Sequence, residues 1–111
     1  MNDRELLELA AKAAGIRGES TDYGFKQDAG GTEENPEWYV WDPLTDDGDA
    51  LRLAVKLGIQ IQIVGTMDDE VMAYALTHEE VEPWEKLGND PYAATRRAIV
   101  RAAAEIGKEN K

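Results

Sequence analysis

The densest group of side chains that could do chemistry is a set of four carboxylates, Asp42, Asp46, Asp47 and Asp49. Such spacing invites a calcium site, but an EF-hand loop needs oxygen ligands at alternating positions, glycine at its sixth position and glutamate at its twelfth. Counted from Asp42, the third position is Leu44 and the sixth is Asp47, so the pattern fails. We therefore interpret these carboxylates as caps at the positive end of a helix dipole.

No other group of residues matches a catalytic arrangement. His78 is the only histidine, it stands beside Glu79 and Glu80, and the chain has no cysteine. No serine lies in the glycine-flanked turn of a hydrolase nucleophile, and the scattered glycines form no phosphate-binding loop. The sequence predicts a protein that is not an enzyme and that needs neither a cofactor nor a metal ion.

A first set of binding candidates combines aromatic side chains with nearby carboxylates, because tryptophan is enriched among the residues that dominate binding energy. The partner-binding candidates of this kind are Trp38, Trp84, Glu79, Glu80 and Glu82. For Trp84 the alternative is a structural role, in which it seals the edge of a sheet together with Leu87.

A second set of candidates is a group of arginines in the last predicted helix, Arg96, Arg97 and Arg101. The simpler interpretation is a solvated helix face that forms ion pairs with Glu105 or with other carboxylates. The alternative is a small-ligand site that binds a phosphate or a nucleotide.

Composition limits the class of protein. The 111 residues suit a single domain, residues 1–111, with 42% hydrophobic and 32% charged residues and a net charge of −11. Residues 33–49 and 68–85 are rich in carboxylates and lack lysine and arginine, so direct binding to nucleic acid is disfavoured. The acidic N-terminus and the lack of a long apolar run disfavour secretion and membrane insertion, and we expect a cytoplasmic protein.

The first part of the chain predicts a helix and a hairpin. Apolar residues at helical spacing predict a helix from about Asp3 to Ala14, and Gly15 ends it. A strand near Tyr23–Gln27, a loop from Asp28 to Pro36 and a strand at Glu37–Trp41 form the hairpin.

The middle of the chain predicts a corner and a second helix. Pro43 turns the chain, Thr45 or Asp46 caps the helix, and Gly58 ends it. Its apolar arc is broad, which is typical of a helix that other elements largely cover. The arc comprises Ala50, Leu51, Leu53, Ala54, Val55 and Leu57.

The last part predicts a second hairpin and a third helix. Residues 59–64 alternate isoleucine with glutamine, the pattern of a strand with one partly solvated face, and Val71–Leu76 is its antiparallel partner. Asp90 caps the last helix, Pro91 occupies its first position, and Gly107 ends it. Its alanines allow close helix packing.

The order α-β-β-α-β-β-α predicts an α+β fold, with a mainly antiparallel four-stranded sheet layered with helices. We expect the first and last helices to be neighbours, and the sequence leaves the position of the second helix open.

Three blocks of the chain resemble the phage ABA-sandwich domain family. They are residues 3–15 (DRELLELAAKAAG), 41–55 (WDPLTDDGDALRLAV) and 89–100 (NDPYAATRRAIV), roughly half of the chain. The family corner often has Trp-Asn-Pro-Leu, so Asp42 is a departure. The resemblance implies an α/β/α sandwich and an origin in a tailed bacteriophage or a prophage, and it supplies no catalytic residues.

The leading hypothesis is a non-catalytic phage accessory protein in the bacterial host cytoplasm, which binds a basic host or phage protein through an acidic surface. That partner would be a host protein that handles nucleic acid or takes part in defence. One alternative is a nucleotide-binding module that uses the three arginines. Another is a structural domain that assembles with copies of itself through its alanine-rich helix face.

Overall fold

In the computed structural model, the described residues are 2–22, 24–64, 70–75 and 84–109. They form three helices and six strands: α1 (Asp3–Ala14), β1 (Gly18–Thr21), β2 (Gly24–Gly31), β3 (Pro36–Trp41), α2 (Asp47–Leu57), β4 (Ile59–Val64), β5 (Glu70–Ala75), β6 (Trp84–Lys86) and α3 (Pro91–Glu109). None of the helices in this part of the chain has both the length and the apolarity that crossing a membrane requires.

The strands pair into two antiparallel sheets, in the orders β1-β2-β3 and β4-β5-β6. The α+β class, the two predicted hairpins and the packing of helices on sheet are confirmed. Among the described residues, each of the two sheets contains three strands. Strands β1 and β6, which the sequence does not predict, each add a third strand to one hairpin. Both are too short to show the apolar alternation that identifies a strand.

The ends of the helices follow from capping chemistry. The Asp46 side chain accepts a hydrogen bond from the backbone N–H of Asp49 at 3.0 Å, which confirms it as the cap of α2. Gly15 and Gly58 adopt left-handed φ values of 71° and 66° after α1 and α2, as predicted. Asp90 caps α3 through the backbone N–H of Ala93.

The end of α3 differs from the prediction. The helix runs on to Glu109, so Gly107 does not end it. Gly107 is buried where α3 crosses α1, and a Cβ atom there would overlap the carbonyl oxygen of Leu9. The alanine-rich face of α3 is buried inside the chain, so it cannot form the predicted contact between copies. Its buried alanines are Ala98, Ala102, Ala103 and Ala104.

Helix α3 occupies the centre of the fold and contacts α1, α2 and the β4-β5-β6 sheet. The predicted neighbourhood of the first and last helices is therefore confirmed. The solvated face of β4 is confirmed as well, because Gln60 and Gln62 are exposed. The prediction that other elements cover α2 is wrong on one side, where Leu51 and Val55 are 61% and 74% exposed.

Candidate functional site

Residues 42–49, which contain the four carboxylates and which we call the acidic corner, have a structural role. Asp42 accepts a hydrogen bond from the backbone N–H of Leu44 at 3.1 Å, and Asp46 caps α2. The predicted capping role is thus confirmed for Asp46. Among the described residues, no group of three or more histidine or acidic side chains is placed to hold a metal ion.

Asp49 has a role that its sequence position does not reveal. Only 7% of it is exposed, and its carboxylate accepts a hydrogen bond from the backbone N–H of Asp42 at 3.0 Å. The Arg52 guanidinium donates to the same carboxylate at 2.7 Å, and this hydrogen bond raises the pKa of Arg52. A Cβ at Gly48 would lie 3.1 Å from the Asp46 carboxylate and 3.2 Å from the Arg52 guanidinium, so these side chains would have to shift by a few tenths of an ångström to admit it.

Arg96 joins α3 to the acidic corner. Its Nε–H donates to the carbonyl oxygen of Leu44 at 2.8 Å, and its Nη1 pairs with Asp47 at 2.6 Å. The Arg96 side chain is only 16% exposed. Arg96 therefore links α3 to the start of α2, two elements that lie far apart in sequence.

Arg97 and Arg101 point to a different neighbour. Both pair with Glu85 of β6 at 3.3 Å, and Arg97 also pairs with Asp3 of α1 at 3.0 Å. The three arginines predicted as a ligand site do not converge on one opening, and each already binds a carboxylate. An anionic ligand would have to displace these carboxylates.

Replacing Arg96 by alanine should lower the free energy of unfolding by about 2 kcal/mol, because hydrogen bonds to charged groups contribute about 1.5–3 kcal/mol. Urea unfolding followed by tryptophan fluorescence measures the loss. Arg97→Ala is the matched control, since 41% of that side chain is exposed and solvent weakens its ion pairs. Equal losses in the two variants would contradict the structural role of Arg96.

The β2–β3 hairpin extends from the core as an arm, which we define as residues 28–40. Its base is buried, where Phe25 and Trp41 pack edge to face with ring centroids 5.7 Å apart. Every residue from 30 to 40 is exposed. Tyr39 lies on the same strand face as Trp41, and Trp38 lies on the other.

The tip of the arm is a hydrogen-bonded turn. Strand β2 continues to Gly31, so the predicted loop from Asp28 to Pro36 is reduced to residues 32–35. The Thr32 N–H donates to the carbonyl of Asn35 at 3.1 Å, and the Asn35 N–H donates to the Thr32 hydroxyl at 3.0 Å. Gly31 has φ +79°, and a Cβ there would overlap the Asn35 carbonyl, so a side chain would break the turn.

The arm combines negative charge with exposed aromatic surface. It carries no lysine or arginine, and its carboxylates are Asp28, Glu33, Glu34 and Glu37. Trp38, one of the predicted partner-binding residues, is 40% exposed, and the Lys26 ammonium lies 4.7 Å from its ring centroid. Tyr39 and Val40 are 51% and 55% exposed. The arm thus presents exposed apolar surface beside carboxylates.

A second exposed feature is an apolar groove of about 390 Å³ between α2, β4 and α3. The sequence does not predict this groove, because its walls come from three separate segments. The main side chains that line it are Leu51, Ile61, Ile63, Leu87, Tyr92 and Ile99. Three of them project strongly into solvent: Leu51 (61% exposed), Ile63 (60%) and Tyr92 (71%).

The side chains of four predicted partner-binding residues lie outside the part of the chain that the structure describes. Glu79, Glu80 and Glu82 lie outside the described residues, as does His78. Trp84 begins β6, and its side chain also lies outside the described part.

Comparison with known proteins adds no relative. No protein-family model, no curated protein and no solved structure matches the chain.

Proposed function

We propose that this chain is a non-catalytic binding domain and that its arm is the part that engages a protein partner. The observation that carries the proposal is the joint exposure of Trp38, Tyr39 and Val40 on a hairpin with an acidic tip. Aromatic side chains bury large areas, and they dominate many protein interfaces. The hairpin is anchored to the core at its base by buried Phe25 and Trp41, and strand pairing places the three exposed residues close together on β3.

The charge of the arm favours a basic partner. Within the described residues, the side chains of Glu33, Glu34 and Glu37 form no ion pair. Unpaired carboxylates speed the encounter with a positively charged groove, while the apolar contact supplies the affinity. Such a groove is typical of proteins that handle nucleic acid, where carboxylates on an arm would take the place of phosphates.

The biological setting is part of the same proposal. The three sequence blocks that resemble the phage ABA-sandwich family coincide with α1, with the corner and α2, and with the start of α3. We place the protein in a bacterial host cytoplasm as a phage or prophage accessory protein. Its proposed partner is a basic host protein of nucleic-acid handling or defence, or a basic phage protein.

The experiment reverses the charge of the arm. A triple variant with Glu33→Lys, Glu34→Lys and Glu37→Lys should lose the captured partner in pull-downs from host lysate, with binding weakened by about tenfold or more, equivalent to 1.4 kcal/mol. High salt should weaken capture by the unmodified chain, because salt screens surface charge.

The control changes the net charge equally elsewhere. Glu5, Glu19 and Asp22 are exposed and lie outside the arm, and their triple replacement by lysine should retain the partner. Equal loss in both triple variants would show that total charge, and not the arm, controls binding. Capture that is independent of salt and of both variants would contradict the proposal.

A further inference from the structure

Strand β4 lies at the edge of its sheet in the part of the chain that the structure describes. The order β4-β5-β6 leaves one side of β4 without a strand neighbour among the described residues. Natural edge strands usually carry charges or proline, which prevent pairing with another chain. Residues 59–64, with the sequence IQIQIV, contain neither, in a chain with 35 charged residues out of 111. Gln60, Ile61, Gln62 and Ile63 are all exposed.

The exposed edge adjoins the apolar groove. The groove is lined by Ile61 and Ile63 of β4, together with Leu51 of α2 and Tyr92 of α3. Val55, one helical turn after Leu51, continues the exposed apolar surface at 74% exposure. Contiguous apolar surface on a highly charged chain indicates an interaction site.

We propose that a second copy of this chain occupies this surface, by pairing its β4 antiparallel to β4 of the first copy. The strand is complementary to itself. With Ile61 opposite Ile61 of the second copy, Ile59 faces Ile63 and Gln60 faces Gln62, so all isoleucines meet on the groove side. A two-fold contact of this kind joins the two sheets into one sheet of six strands and closes without further growth.

Charge favours a second copy over a basic peptide. Of the described residues that line the groove, only Asp47 and Arg96 are charged, and they pair with each other. This described lining therefore offers no unpaired carboxylate to attract a basic partner. Two copies meet here through neutral surface although each carries a net charge of −11. Interfaces between identical chains are likewise apolar, with charged residues depleted at their centre.

Sedimentation of the full chain across a concentration series tests the proposal. The unmodified chain should change from monomer to dimer as concentration rises. Added salt should strengthen the dimer, because it screens repulsion between two acidic chains. Salt should have the opposite effect on partner binding by the arm, so the failure of one proposal is distinguishable from failure of the other. A monomer at all concentrations would overturn the proposed dimer.

Ile63→Lys locates the contact, since it places a charge opposite Ile59 of the second copy at a position that is 60% exposed. The variant should remain monomeric where the unmodified chain dimerises. The matched control is Thr45→Lys, which adds the same charge at an exposed, uncharged residue outside both the groove and the arm and should dimerise normally. Dimerisation of the Ile63→Lys variant would overturn the assignment to β4.

A measurement on the unmodified chain avoids any folding defect of the variant. Amide hydrogen exchange within residues 59–64 should slow as concentration rises, since pairing protects the outer backbone N–H groups. Exchange in β3 should not change. Dimerisation without added protection in β4 would show that the copies meet elsewhere, which contradicts the proposal.

Discussion

Replacing Gly107 by alanine should lower the free energy of unfolding by about 3 kcal/mol, near the upper end of the usual effect of overpacking a core. In a solvated helix the same change stabilises by about 1 kcal/mol, because alanine has the better helix propensity. Here the new Cβ would overlap the carbonyl oxygen of Leu9 and lie 3.2 Å from its Cα. Backbone atoms cannot rotate away, so α1 and α3 would have to separate.

Chemical denaturation in urea measures this effect. Lys108→Ala is the matched control, since Lys108 is the next residue of α3, is exposed, and is replaced by the same side chain. The control should change stability by only a few tenths of a kcal/mol, as most surface substitutions do. A Gly107→Ala variant at least as stable as the unmodified chain would show that the helices do not approach so closely.

Gly107 also shows where local sequence rules fail. A glycine near the end of an alanine-rich helix matches the pattern of a C-terminal stop. The same pattern identifies Gly15 and Gly58 correctly as the ends of α1 and α2. Glycine is required at position 107 because the backbone of Leu9, which lies far away in sequence, leaves no room for a Cβ atom. Capping is a local interaction and is predictable from neighbours, whereas close helix approach depends on the tertiary arrangement.

The sheets show the same contrast between features that local sequence predicts and features that depend on tertiary contacts. Residues 36–41 and 59–64 carry enough aromatic or alternating apolar residues to identify β3 and β4. Strands β1 and β6 form because a neighbouring strand offers backbone partners, which their own residues do not reveal. The existence of the hairpins was therefore predictable, but their separation into two sheets was not.

The candidate surfaces were predictable only in part. Trp38 was a candidate because of its residue type, and the structure exposes it on the arm. The groove was missed because an apolar arc on α2 normally indicates burial, and only the positions of β4 and α3 leave Leu51 uncovered. For the arginines, the sequence offers many carboxylates as partners, and the fold selects Asp47 for Arg96 and Glu85 for Arg97.

Replacing Asp49 by alanine should lower the free energy of unfolding by about 2–3 kcal/mol. The Asp49 carboxylate is buried and binds the backbone N–H of Asp42, and a buried donor left without a partner costs about 1–3 kcal/mol. The negative charge of the carboxylate, in the first turn of α2, also interacts favourably with the positive end of the helix dipole. Urea unfolding followed by circular dichroism measures the loss of stability.

Two further variants separate the contributions to this site. Asp49→Asn keeps an oxygen that can accept from Asp42 but removes the ion pair with Arg52, so it should lose much less stability than the alanine variant. Arg52→Ala should have a small effect, because the Arg52 side chain is 73% exposed and solvent already screens its charge. If Asp49→Ala were no more damaging than Arg52→Ala, the bond to the corner backbone would contribute nothing. The carboxylate would then act only as a surface charge.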